Sequence, residues 1–282
     1  YEAGLIGEVK EVLTWTDRPA RGWGFNGQVR TSYPKAEKIP EGMDWNLWLG
    51  PCQEDVPFSR AIHPTTWRPW WSFGCGGLGD IGCHTIDTAY WALGLGAPDK
   101  VEVDMTEKAN PIHTPNGSTV TYKFPSRGSQ PAVDVKWIEG PRLPKAPTGY
   151  DWDIKGNGGF IMVGEKGGIS HDGMRPNSPR LYPKSRWEDY RKNANERVPK
   201  TLKRVPGIHN DWVNGIRNSE MTVSDFSYSG PLTESIILGT LAIRTGKGLE
   251  WNAKDMKISG NKEAAALIDV EARKGWRPSD LV

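Results

Sequence analysis

Apolar and polar residues alternate from Gly7 to Asp17, "GEVKEVLTWTD", as they do in a half-buried strand. The alternation then stops. From about Arg18 to Gly79 the chain is rich in Pro, Gly and Trp with little periodicity, and it reads as one long loop region. A loop of that size within a domain is usually functional. Inside it, "DWNLWLGP" (Asp44 to Pro51) has the aromatic and apolar residues to dock the loop onto a core. A helical period runs from about Asp80 to Leu93 and stops at "GLGAP", with glycine and proline in the expected places. Period two returns in Lys100 to Met105, Ser118 to Pro125, Ala132 to Gly140 and Gly158 to His171. Their connections carry Asn-Gly, Ser-Arg-Gly-Ser and Gly-Gly turn chemistry. Strands in succession without intervening helices predict an antiparallel sheet rather than a βαβ array.

The last third is helical again. His209 to Asn218 places Trp212 and Ile216 on one face. Ser229 to Gly248 repeats Leu232, Ile236, Gly239 and Ile243 at helical spacing, with Pro231 near its first turn. Asn261 to Trp276 closes the chain as a further helix. There is no internal repeat. The pattern predicts an α+β fold over residues 1–282, an open, mostly antiparallel sheet with helices packed on one face and no Rossmann domain.

Composition narrows the function. Charged residues make up 25% of the chain and the formal net charge is +2, which gives no electrostatic case for a nucleic-acid or membrane partner. The basic stretch Arg191 to Arg204 is interleaved with Asn, Glu and Pro and reads as a solvated loop. Three cysteines, Cys52, Cys75 and Cys83, make neither a disulfide framework nor a structural zinc pattern, so reduced thiols are expected. No run of 18 apolar residues and no signal peptide is visible. The chain opens at Tyr1; a cytoplasmic location is favoured, and a periplasmic one stays open if a leader was lost upstream. Fourteen tryptophans is a high number. They either stack on sugars and bases or staple long loops onto a core.

The candidate chemistry concentrates in "GCGGLGDIGCHTID", Gly74 to Asp87. Gly74, Gly76 and Gly79 satisfy G-x-G-x-x-G, but "TTWRPWWSF" before them is a poor central parallel strand. Asp80 after them would repel phosphates at a helix N-terminus. A metal site is a second reading: Asp80, His84 and Asp87 fall at i, i+4 and i+7 on one helical face, with His63 or His209 as a further ligand. A third is acid–base chemistry, with Asp80 in the first turn and His84 one turn on holding a hydroxyl between them. The glycines would then let the main chain approach a ligand closely. The structural alternative is that Asp80 is an N-cap and His84 a satisfied interior histidine.

The stretch "TTWRPWWSFGCGGLGDIGCHTIDTAYWALG" resembles the C-terminal domain of the Gfo/Idh/MocA oxidoreductases. The family's W-R, glycine-rich turn and D-x-G-x-H-x-x-D are matched by Trp67 and Arg68, by Gly76, Gly77 and Gly79, and by Asp80, Gly82, His84 and Asp87. "GEVKEVLTWTDRP", "MDWNLWLGP", "SGPLTESIILGTLAIRTGKGLEW" and "RKGWRP" extend the similarity along the chain. The resemblance implies an open antiparallel sheet whose face helps form the substrate site and a homo-oligomer interface. It implies His84 as the acid–base for a substrate hydroxyl, Asp80 as its holder, and Trp67 and Arg68 beside the nicotinamide half of the cofactor. Substrates of the family are mostly sugars, cyclitols or glycosides. NAD or NADP is expected for the full-length protein and neither for this chain alone, because the Rossmann pattern and the family's E-K-P segment are absent from it.

The expected function is therefore the substrate and catalytic half of an NAD(P)-dependent oxidoreductase, with redox-assisted glycoside cleavage as a variant. A carbohydrate-binding or assembly module that lacks a cofactor domain, and a metal-dependent hydrolase or isomerase, remain as alternatives. His63, His209, Trp67 and Asp87 are the candidate substrate-binding residues. His171, Arg142 and Lys136 are weaker ones.

Overall fold

The structure is a computed structural model and describes residues 1–19 and 28–280. Its strands are β1 (Val9–Thr16), β2 (Lys100–Met105), β3 (Ser118–Phe124), β4 (Val133–Glu139), β5 (Gly159–Gly164), β6 (Gly167–Asp172), β7 (Arg180–Tyr182), β8 (Leu249–Asn252) and β9 (Lys257–Ser259). The helices are α1 (Trp45–Leu49), α2 (Gly76–Leu93), α3 (Lys184–Lys192), α4 (Ile208–Asn218), α5 (Phe226–Thr245) and α6 (Lys262–Ala265). The strands form one sheet in the order β7-β6-β5-β1-β4-β3-β2-β8-β9. β1 and β4 are parallel and every other pair is antiparallel. The predicted α+β class and mostly antiparallel sheet are what the chain forms.

The period of two decides which residues face the helices. In β3, Val120, Tyr122 and Phe124 are buried in the main core, as are Val133, Val135 and Trp137 of β4. α2 and α5 cover this face and pack on each other. Gly239 of α5 permits the close approach, since an added Cβ there would collide with the Tyr122 hydroxyl and the Leu78 side chain. The opposite face of β1 to β4 is polar. Lys123 bridges Asp134 at 3.2 Å and Glu102 at 3.6 Å, and Lys136 pairs with Glu11. Toward β5 the same face turns apolar, where Tyr150, Trp152 and Ile154 pack on Leu13, Trp15 and Ile161.

The long loop region has a core of its own. Trp45, Leu49, Val56, Phe58, Ile62 and Trp70 are buried together, with Trp48 and Trp67 packed against them. Asp44 caps α1 by accepting from the Leu47 N–H at 3.0 Å. These tryptophans therefore staple the loop; residues 20–27 of the same stretch lie outside the described residues.

Three expectations need correction. Gly158 to His171 is two strands, with β5 turning into β6 at Glu165 and Lys166. Helix α2 begins at Gly76 rather than Asp80, so Asp80 is not its N-cap. The final helix ends at Ala265 instead of Trp276. Beyond it Arg273 donates to the Gly50 and Asn46 carbonyls, both at 2.6 Å, and this tertiary anchoring onto α1 outweighs a marginal local helix. Trp212 and Ile216 do share a face of α4 as expected, and that face is 63% and 66% exposed and covers no core among the described residues.

Candidate active site on helix α2

The glycines that open α2 face protein atoms. A Cβ on Gly74 would collide with the Arg68 carbonyl, and one on Gly77 with the Glu139 carboxylate. Gly76 has φ +66°, and a Cβ there would lie 2.7 Å from the Thr114 methyl. Their freedom therefore serves packing. The reading that they make room for a ligand is corrected. The first turn of α2 has no open cradle for a pyrophosphate, because the Glu139 carboxylate fills the space beside Gly77. Those residues do not fit the phosphate half of a nucleotide.

From this start α2 divides into two faces. Leu78, Ile81, Ile86, Ala89, Tyr90 and Leu93 are buried. Asp80, His84 and Asp87 lie half-buried on the opposite stripe. Asp80 Oδ1 accepts from Arg68 Nε at 3.1 Å, with both side chains about 30% exposed. Arg68 also donates from Nη1 to the Thr65 carbonyl at 2.9 Å, and its guanidinium lies 5.0 Å from the Trp67 ring. Thus the "W-R" dipeptide and Asp80 meet in space, twelve residues apart in sequence. The His84 imidazole makes no hydrogen bond, ion pair or ring contact among the described residues. It has its ring nitrogens available on a face whose neighbouring carboxylate is already oriented.

Asp87 is placed differently from the expectation. Its Oδ1 accepts from the Tyr228 hydroxyl at 2.6 Å, which ties α2 to α5. Burial, and then that carboxylate, push the Tyr228 pKa far up. Asp87 thus acts as an interhelical partner rather than as a free substrate ligand. With Asp80 drawn to Arg68 and Asp87 to Tyr228, the stripe does not converge as a ligand set. No group of three His, Cys, Asp or Glu able to hold a metal occurs among the described residues.

The other candidates separate from this face. His63 packs edge-on against Trp48 with centroids 5.6 Å apart, inside the aromatic loop core. His209 is exposed in the first turn of α4, and its neighbour Asp211 turns inward to accept from the Val223 N–H at 2.9 Å. His171 stacks on Phe160 at 5.1 Å, and burial pushes its pKa down, so it is a core histidine. Lys136 and Arg142 are engaged on the sheet face, with Glu11 and with Asp104 at 2.6 Å.

Sequence reasoning missed Glu139 and Tyr228. Glu139 is fully buried: Oε1 accepts from Ser118 Oγ at 2.8 Å and Oε2 from Trp137 Nε1 at 3.1 Å. Burial raises its pKa from 4.5 to about 7. The signal was present in β4, where Glu139 is in phase with the inward Val133, Val135 and Trp137.

Residues 3–143, half of the chain, match the family described as oxidoreductase family, C-terminal alpha/beta domain, of the Gfo/Idh/MocA type. The chain belongs to that family. No curated protein matches the sequence. Among solved structures it is similar to the WlbA dehydrogenase of Bordetella pertussis in complex with NADH and UDP-GlcNAcA, at 12% identity and TM-score 0.46 over 89% of this chain and 58% of that one. It is also similar to an oxidoreductase of Thermotoga maritima, at 15% identity and TM-score 0.41 over 88% and 56%. This chain therefore spans a little over half the length of those proteins. No described helix is long and apolar enough to cross a membrane.

Proposed function

We propose that this chain is the substrate and catalytic half of an NAD(P)-dependent oxidoreductase acting on a hydroxyl of a sugar, cyclitol or glycoside. One observation carries the reading: an unbonded, half-buried His84 lies one helical turn from Asp80, whose carboxylate is fixed by Arg68. His84 takes the proton from the substrate hydroxyl oxygen during oxidation and returns it in the reverse direction. Asp80 accepts a hydrogen bond from the same hydroxyl and orients it. Trp67 and Arg68, which meet Asp80, would line the side that holds the nicotinamide. A nicotinamide cofactor would supply the hydride acceptor, held by a nucleotide-binding domain of the full-length protein. Self-association through the polar outward face of the sheet belongs to the same reading.

The test is turnover by the full-length protein with NAD or NADP and a panel of sugars and cyclitols. His84→Ala is expected to lower kcat by about 100-fold to 10,000-fold with the cofactor still binding. Unchanged kcat would remove His84 from the chemistry. A carbohydrate panel that binds but never turns over, with every nicotinamide cofactor, would leave a binding module.

A further inference from the structure

Helix α2 starts without a cap of its own. Its N-cap residue, Cys75, makes no side-chain hydrogen bond to the first turn, and the next two residues are glycines, which are poor helix formers. A helix start of this kind frays unless something satisfies its free N–H groups. Glu139 is placed to do so from the adjoining strand. It stands at the end of β4 with its carboxylate beneath the first turn. Its Oε2 lies where a Cβ of Gly77 would stand, against the first turn whose N–H groups an N-cap side chain normally serves. Gly77 has no Cβ because Oε2 occupies that space. Ser118 and Trp137 hold the carboxylate from the sheet side.

We infer that Glu139 is a positioning residue for the Asp80 and His84 face, capping α2 from the sheet and so fixing where the helix begins and how it is rotated. A one-residue slip of the helix register would turn Asp80 by about 100° around the helix axis and away from Arg68. The importance of that face rests on the function proposed above; the cap itself does not.

Glu139 and Gly77 therefore form a coupled pair, which the 282-residue chain tests directly. Thermal unfolding is measured for Gly77→Ala, Glu139→Ala, Glu139→Gln and the Gly77→Ala/Glu139→Ala double variant, with the His84 imidazole followed by NMR. Gly77→Ala alone is expected to lower Tm by several degrees, through collision with Glu139. On the Glu139→Ala background the same methyl should cost nothing or raise Tm, because alanine is the better helix former where there is room. The His84 resonances should move in Glu139→Ala and return toward wild type in Glu139→Gln, whose amide oxygen can still accept from the first turn. Additive Tm changes, or His84 resonances unmoved in Glu139→Ala, would overturn the inference. If coupling and resonances behave as expected while His84→Ala leaves turnover of the full-length protein intact, the cap stands and the proposed function fails.

Discussion

Two helices, each with apolar residues recurring along one face, meet opposite fates. α2 buries its apolar face against α5 and the sheet and turns Asp80, His84 and Asp87 outward. α4 leaves Ile208, Trp212 and Ile216 outward and buries only Asp211. Periodicity tells which residues share a face, but not whether anything is available to cover it. For α2 the cover is α5, far along the chain: Tyr90 donates to the Pro231 carbonyl at 2.8 Å, and Tyr228 to Asp87. For α4 the one buried anchor is polar, and its bond to Val223 folds the following turn back on the helix rather than bringing the apolar stripe to a core.

The largest test of that contrast is truncation on each stripe. Leu78→Ala removes a side chain with no exposed surface and should destabilise by about 2–5 kcal/mol. Ile216→Ala, on a residue 66% exposed, should stay within about 0.5 kcal/mol in the same denaturant titration. Equal losses would mean that α4 is covered after all. Next in size is the pH dependence that comes from the acid beneath α2. Glu139 is raised from 4.5 to about 7, so the folded chain holds its proton where the unfolded chain has lost it. Its contribution is fully present below about pH 4.5 and falls as pH rises to about 7, by about 3 kcal/mol in total. The titratable group facing it, Tyr122, is itself pushed well above its ordinary value by burial and stays neutral throughout. Unfolding free energies from pH 4 to 8 should therefore slope less in Glu139→Gln than in wild type. Identical slopes would place the titration elsewhere. The smallest effect belongs to α4: Asp211→Ala should cost about 1 kcal/mol, the value of one hydrogen bond, and loosen amide protection at Val223.

Much of the fold was legible because the strands of this sheet have one helix-covered face. Alternation in Ser118–Phe124 and Val133–Glu139 placed those strands, and the glycine after Leu93 stopped α2 as expected. The short strands β7, β8 and β9 were not legible, since three or four residues carry too little periodicity to register. The candidate site was legible in part. Asp80 and His84 follow from i, i+4 spacing, but the engagement of Asp80 by Arg68 and of Asp87 by Tyr228 joins residues that only folding brings together.

The glycine cluster divides the two kinds of information most clearly. The sequence by itself determined that the backbone from Gly74 to Gly79 must pass close to something, because no other residue type leaves that space. It also determined that Asp80 and His84 would share a face, because helical geometry is local. Only the tertiary structure decided what fills the space at Gly77. The occupant is a glutamate from a strand more than sixty residues further along the chain, and its carboxylate reaches the helix start through the register of β4 beside β1 and β3.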